Sequence, residues 1–337
     1  MIEEIINKVS AEQDLSEEEA YNACNKMMAG DLSEEQIGTI LMNLAAKGET
    51  TEELIGMAKA MREFMVKVDL GNEKIIDTCG TGGSGLSRIN TSTLSAFVLA
   101  TGGVKIAKHG NRASSGRCGS FDLLEAFGAK IELNEEQVKK TFAEFGVSFF
   151  LAPLYHPAMK HVGPVRKKLG IRTIFNFLGP LCNPAEAKHQ ILGVSDLDMA
   201  EKMARVLLNL GNRESMIVHG QDGLDEITLS DSTDIFEINS GSLNTYDIEP
   251  SAFNLARADS KELTGGGAQE NKNFAIEILK GEESPRANLV IANAAAGFYV
   301  MQKVNDLEEG ASMAKEILKS KKAYRLMKDY VAYTETL

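Results

Sequence analysis

A cationic surplus, paired cysteines and long apolar runs are all missing from this sequence. Lysine and arginine number 36 against 48 aspartates and glutamates, a formal net charge of −12. Nucleic acid and membrane surfaces are polyanions, so this balance argues against a general role on either. A phosphorylated ligand must therefore be met by local cations, backbone dipoles or a metal. The four cysteines, at 24, 79, 118 and 182, show no Cys-x-x-Cys spacing and no disulfide-like framework. Reduced thiols are the expectation. No stretch reaches the roughly 18 uninterrupted apolar residues of a membrane span, and the acidic start, MIEEIINKVS, is no signal peptide. A cytoplasmic protein is expected. At 337 residues, 43% of them hydrophobic, the chain can build one large domain or two smaller ones.

What is present divides at about Leu70. Residues 1–67 read as helices only: Ser16 with Glu19, Ser33 with Gln36 and Thr50 with Glu53 fit the capping-box spacing. Gly30 and Gly48 stand where C-terminal stops belong. Ile37, Ile40, Leu41 and Leu44 form one apolar helix face, which as such is core packing. Three capped helices predict a small all-helical domain. Beyond it, strand Lys74–Thr78, a glycine loop, helix Ser92–Thr101, strand Val104–Ala107, a basic loop and helix Phe121–Phe127 make a βαβ signature. Ser120 is placed to cap the last of these. A mainly parallel sheet follows, with ligands at the strand C-termini. The spacing then predicts a helix opened by Asn134, a strand over Ser148–Ala152, a helix over His156–Leu169 and a connecting loop over 174–184. Strands Gln190–Val194 and Met216–His219 flank a helix over Met199–Leu210. A hairpin turns at Ser240–Gly241, and helices fill the remainder.

Two loops carry the chemistry. In GTGGSG, Gly80, Gly82, Gly83 and Gly85 permit positive φ and leave backbone N–H groups free to converge on an anion. The motif is neither GxGxxG with a downstream ribose-binding acid nor a P-loop ending in Gly-Lys-Ser/Thr. The second loop sets Lys108, His109, Arg112 and Arg117 among Asn111, Ser114, Ser115 and Ser120, donors enough for more than one phosphate. Both loops follow strands and precede helix N-termini, as anion sites do. Together they predict a site for a multiply phosphorylated small molecule. His109, flanked by cations, is expected to stay neutral and to donate or orient. Asp225–Glu226, in HGQDGLDEIT, is by itself an ordinary acidic pair, but beside a pyrophosphate its hard oxygens suit Mg²⁺. Arg166 is a surface helix residue unless its helix borders the site, where guanidinium is the natural fork for a substrate carboxylate.

GTGGSG (80–85), NTST (90–93), KHGNR (108–112), GSFDLLEAFG (119–128), HPAMKHVGPVRKKLGIRTIFNFLGPLCNP (156–184), GLDEIT (223–228), GGAQEN (266–271) and IANAAAGFYV (291–300) occur in order. As an ordered set they resemble the anthranilate phosphoribosyltransferase family. The resemblance implies a helical domain (1–67, joined by part of 156–184) and an α/β domain (70–337). It implies transfer of the 5-phosphoribosyl group from phosphoribosyl pyrophosphate (PRPP) to anthranilate in tryptophan biosynthesis, by a homodimer joined through the helical domain.

Carried over by position, Gly80, Gly83, Ser84, Arg88, Asn90, Thr91, Ser92 and Thr93 of the first loop and helix would face PRPP. So would Lys108, His109, Gly110, Asn111, Arg112, Ala113, Ser114, Ser115, Gly116 and Ser120 of the second. Gly80, Asn111, His156 and Arg166 would meet anthranilate, and Ser92, Asp225 and Glu226 would serve Mg²⁺. No single catalytic acid or base is implied. There is one departure: Ser84 stands where the family usually has Asp, and Arg88 where it often has Thr, which makes the first loop two units more positive. Two rivals remain. A related phosphorylase, or a transferase with another aromatic acceptor, would keep the phosphate loops but not need Arg166. A non-catalytic nucleic-acid-binding paralogue would need a basic face.

Overall fold

Capping decides where the first helices begin. The computed structural model describes residues 2–71, 73–113 and 116–337. After α1 (Ile2–Ser10), the side chains of Ser16, Ser33 and Thr50 each accept from the backbone N–H three residues on. The side chains of Glu19, Gln36 and Glu53 accept from the caps' own N–H groups in return. These boxes open α2 (Glu17–Ala29), α3 (Glu34–Lys47) and α4 (Thr51–Phe64). So the amino-terminal unit holds α1 in addition to the three capped helices expected. Ile37, Ile40, Leu41 and Leu44 are all buried.

The chain then alternates strands and helices. In order come β1 (Ile75–Gly80), α5 (Thr91–Thr101), β2 (Lys105–Gly110), α6 (Ser120–Phe127), α7 (Glu135–Phe145), β3 (Val147–Leu151) and the single turn α8 (Ala152–Tyr155). Next are α9 (Gly163–Leu169), α10 (Phe175–Leu181), β4 (His189–Gly193), α11 (Leu197–Asn209) and β5 (Glu214–Gly220). The hairpin β6 (Thr233–Asn239) and β7 (Ser242–Ile248) precedes α12 (Ala268–Leu279), α13 (Pro285–Val300), α14 (Leu307–Lys319) and α15 (Lys322–Glu335). The sheet order is β3-β2-β1-β4-β5-β6-β7. All pairs from β3 to β5 are parallel, and β6 and β7 complete the edge antiparallel. The hairpin turns at Ser240 and Gly241, both at positive φ, as a tight turn between twisted strands requires.

Strand alternation sends side chains into different cores. Ile191, Met216 and Val218 pack with α5 and α13, whereas Leu192, Val194 and Ile217 pack with α11 and the amino-terminal helices. The second core also takes Val162, Val165, Ile174, Phe175, Leu178 and Leu181, so α9 and α10 close onto α3 and α4.

Three expectations are corrected. His156–Leu169 is not one helix: a 3₁₀ turn over Pro157–Lys160 is followed by α9, restarted at Gly163–Pro164, because proline suits the first helical turn and breaks an interior one. Residues 174–184 are not a connecting loop throughout, since Phe175–Leu181 is helical with Pro180 near its end. Burial of Phe175, Phe177, Leu178 and Leu181 outweighs the proline and glycine there. Ser120 is the first residue of α6 rather than its cap. Gly119 holds that position, and Asp122 accepts from the Gly119 and Ala113 N–H groups at 2.7 and 2.8 Å. Among the described residues, no helix is long and apolar enough to cross a membrane.

Candidate active site

The parallel strands β1, β2, β4 and β5 each end on a glycine: Gly80, Gly110, Gly193 and Gly220. At two of them the reason is close approach. A Cβ on Gly80 would stand 2.6 Å from Asp225 Oδ2, and one on Gly193 would run into the Asp225 carbonyl. Gly80 and Gly193 pair across the sheet, so the Asp225–Glu226 loop lies directly over the adjacent ends of β1 and β4. Gly82 N–H then donates to Asp225 Oδ2 at 2.8 Å, fastening the carboxylate to the glycine loop, where Gly82, Gly83 and Gly85 all take positive φ. Burial pushes the Asp225 carboxyl up, against the Gly82 N–H and the Ser84 hydroxyl, which pull it down.

Glu226 is pushed up further, to about 8, by burial and then by the Asp225 charge beside it. The Thr91 hydroxyl, Lys108 and Arg88 pull the other way. Its Oε2 is shielded from solvent and has no hydrogen-bond partner. A half-buried carboxyl pair with an orphaned, shielded oxygen fits a hard cation, which would complete its coordination with water and phosphate oxygens. Among the described residues no group of three or more histidine, cysteine, aspartate or glutamate side chains is arranged for a metal. Any ion here thus rests on the two carboxylates, neighbouring hydroxyls and the substrate itself.

Below the loop, Lys108 is 2% exposed. Its ammonium donates to the Thr78 carbonyl and, at 3.1 Å, to Ser92 Oγ in the first turn of α5. Burial lowers its pKa, and Asp77, itself raised to about 6 by burial, opposes that. Asp77 accepts from His109 N–H at 3.2 Å and from Asn183 Nδ2 at 2.8 Å. Lys108 is therefore held under the site by a backbone carbonyl and a hydroxyl rather than presented on a loop. Thr91 and Thr93 are fully buried, with Thr93 Oγ1 unpartnered. Asn90 uses its amide on the Cys118 carbonyl at 3.0 Å and accepts from Asn271 at 2.9 Å.

The second loop is the open side. Asn111, Arg112, Ala113 and Gly116 are exposed, and Arg112 pairs with Glu125 at 3.3 Å. Ser120 Oγ donates to the Asn111 carbonyl at 3.2 Å across Gly110. Ser114 and Ser115 lie outside the described residues. His109 is neutral as expected, held near 3, but burial is the larger cause and His156 the next, ahead of Lys108. Its Nδ1–H donates to the Gly179 carbonyl at 3.1 Å, and its ring lies 5.0 Å from that of His156. His156 is likewise buried and held near 4. These two rings and α10 form one wall. Arg166 joins it through Asn176 at 3.2 Å and the Phe175 face at 5.6 Å.

A family model described as the glycosyl transferase family a/b domain matches residues 72–324, and one described as its helical bundle domain matches residues 3–65. An anthranilate phosphoribosyltransferase from Acetivibrio thermocellus is 44% identical over 336 residues, covering 100% of this chain and 97% of its own. The chain belongs to the anthranilate phosphoribosyltransferase family. Another member, from Methanobrevibacter smithii, is 43% identical over 336 residues, covering all of both chains. The crystal structure of the family member from Thermus thermophilus superposes with a TM-score of 0.92 at 42% identity, covering 98% of this chain and 99% of that one. The Saccharomyces cerevisiae member, in complex with PRPP and Mg, gives 0.91 at 29% identity, covering 100% and 98%.

Several residues at the site were not singled out from the sequence. Arg172 stacks over Phe177 at 5.0 Å and donates to Ser195 Oγ at 3.3 Å, and a Cβ on Gly83 would stand 2.6 Å from its guanidinium. Its signal is faint, because an arginine beside the strongly patterned FNFLGP run looks like a flank. Gly193 and Asp77 had no motif of their own, and Asn183 stood unmarked inside the 156–184 run. Only the pairing of β1 with β4 and the crossing of 183 beneath β2 make them neighbours of the loops.

Proposed function

We propose that this protein transfers the 5-phosphoribosyl group from PRPP to the amine of anthranilate, releasing pyrophosphate, in tryptophan biosynthesis. The observation that carries this reading is the Asp225–Glu226 pair seated on Gly80 and Gly193, facing a loop of backbone donors and basic residues. Asp225 and Glu226, with Ser92, would hold Mg²⁺. The ion's chemistry is charge neutralisation on the pyrophosphate oxygens. The glycine-loop N–H groups and the 108–120 loop bind the phosphates. As the bond from the ribose anomeric carbon to pyrophosphate lengthens, negative charge moves onto the leaving group, and these fixed donors stabilise it. The anthranilate nitrogen then forms the new bond to that carbon and gives up one proton. An arylamine needs alignment more than a strong base. The neutral His109–His156 wall and Arg166 supply an apolar face and a carboxylate fork for it.

The helical unit is proposed to comprise residues 1–67 with part of 156–184, which share one core, and to join two copies into a cytoplasmic homodimer. Met42, 45% exposed on α3, is an apolar residue that such contact would cover. Loss of anthranilate fluorescence with PRPP and Mg²⁺ tests the activity, and a chain without tryptophan gives little background. Phosphorolysis of a nucleoside with no anthranilate consumption would overturn it.

A further inference from the structure

Arg88 stands at the end of the glycine loop, and its backbone is pinned from outside. It bridges antiparallel to Thr264, while Gly265 N–H donates to the Ser87 carbonyl at 3.0 Å and Ser87 Oγ to the Gly265 carbonyl at 3.1 Å. A Cβ on Gly265 would collide with the Arg88 carbonyl. The residue is thus fixed in place, and its side chain turns inward, with 8% of the side-chain surface exposed.

The inward guanidinium is poorly satisfied. Its nearest carboxylate, Asp222, lies 3.7 Å away and is already engaged: its Oδ2 accepts from Thr228 Oγ1 at 2.8 Å and from Ser230 Oγ, and its Oδ1 from Leu224 N–H at 3.1 Å. Arg88 Nε is shielded from solvent with no hydrogen-bond partner. Such a group is costly unless an opposite charge compensates it. Glu226 lies within its field, and Glu226 Oε2 is likewise shielded and unpartnered. An underbonded cation and an underbonded carboxyl oxygen therefore act on one another, with Asp225 and Lys108 also acting on Glu226 and Arg172 on Asp225.

We propose that Arg88 is a resident cation of the carboxylate site, opposing divalent-metal binding until the substrate pyrophosphate adds its own negative charge. This deepens the reading of Asp225–Glu226 as metal ligands and rests on it. A fixed positive charge repels a divalent ion twice as strongly as a monovalent one, and part-burial limits screening. Metal binding to the substrate-free protein should then be weak, and metal should enter together with PRPP.

The test is a calorimetric or paramagnetic-resonance titration of the substrate-free full chain with Mn²⁺. Arg88→Gln, which keeps a donor for Asp222 and drops the charge, should bind Mn²⁺ about tenfold more tightly than wild type. Arg88→Lys, which keeps the charge, should bind as wild type does. Arg88→Thr serves in place of Arg88→Gln if circular dichroism shows the latter unfolded. Unchanged Mn²⁺ affinity in the neutral variants, with Glu226→Gln weakening binding in every background, would overturn the proposal and leave Arg88 a structural partner of Asp222. Mn²⁺ binding indifferent to Glu226→Gln would overturn the carboxylate reading beneath it.

Discussion

Single atoms set the geometry at the site. Gly193 has no Cβ because the Asp225 carbonyl occupies that space. Gly193→Ala must push the carboxylate loop away from β1, so the Gly82–Asp225 hydrogen bond lengthens or breaks. The expected result is a fall in kcat/KM of about a hundredfold, the scale of a misplacement near 1 Å, with a stability loss of about 1–3 kcal/mol. Steady-state kinetics and a denaturant titration on the same sample check both. The sequence displayed the glycine loop, because glycine density is a local signal, but not Gly193, whose constraint comes from a distant residue on another strand's loop. By composition Asp225 and Glu226 are an acidic pair among 48 acidic residues, and only the ordered GLDEIT motif marked them for Mg²⁺. Their partners Gly80 and Gly82 make them a site.

At the scale of elements, capping boxes were the most legible feature, since cap and partner sit three residues apart and need no tertiary knowledge. One of them also does tertiary duty. Glu53 is fully buried, accepts from the Thr50 and Leu15 N–H groups at 2.9 Å, and pairs with the nearly buried Lys47 at 2.8 Å. Glu53→Ala leaves that ammonium with the exposed Asp14 as its one carboxylate, beside the Gly48 carbonyl, and frees two backbone donors. A loss of about 3–5 kcal/mol is expected, against about 1 kcal/mol for the simple cap change Ser33→Ala. Thermal melts of the two variants should separate accordingly, and equal shifts would show Glu53 to be a local cap alone. What the sequence concealed at this scale was α10, because proline and glycine mark loops whereas burial of Phe175, Phe177, Leu178 and Leu181 fixes a helix.

For the whole molecule, pH acts through the buried wall. His156 and His109 sit near 4 and 3 in the fold, below the ordinary value of 6.5. A depressed histidine contributes stability that is present above about pH 6.5 and is lost as pH falls toward its folded value, because the unfolded chain takes the proton first. Asp77, raised to about 6, has the opposite sign: its contribution is present at low pH and is lost as pH rises through 6. Glu226, raised to about 8, acts as Asp77 does, so these acids oppose the two histidines, each of which contributes a downward slope of up to about 1.4 kcal/mol per pH unit between pH 6.5 and 4. His156→Gln should flatten that slope, and parallel pH profiles for variant and wild type would contradict it.

The α/β order, the parallel sheet and the amino-terminal helices could be read along the chain. The convergence of 80–92, 108–113, 116–120, 166–179 and 225–226 on one end of the sheet could not be read from local pattern, because it depends on strand order; only the resemblance of the ordered motifs implied it. That convergence is tested most directly by the initial rate of anthranilate fluorescence loss with PRPP, followed as Mg²⁺ is raised, in wild type and in Asp225→Asn. The wild-type rate should rise with Mg²⁺ to a plateau, and the variant should fall at least a hundredfold in kcat/KM while melting within a few degrees of wild type. A variant that consumes anthranilate at the wild-type rate would contradict the account.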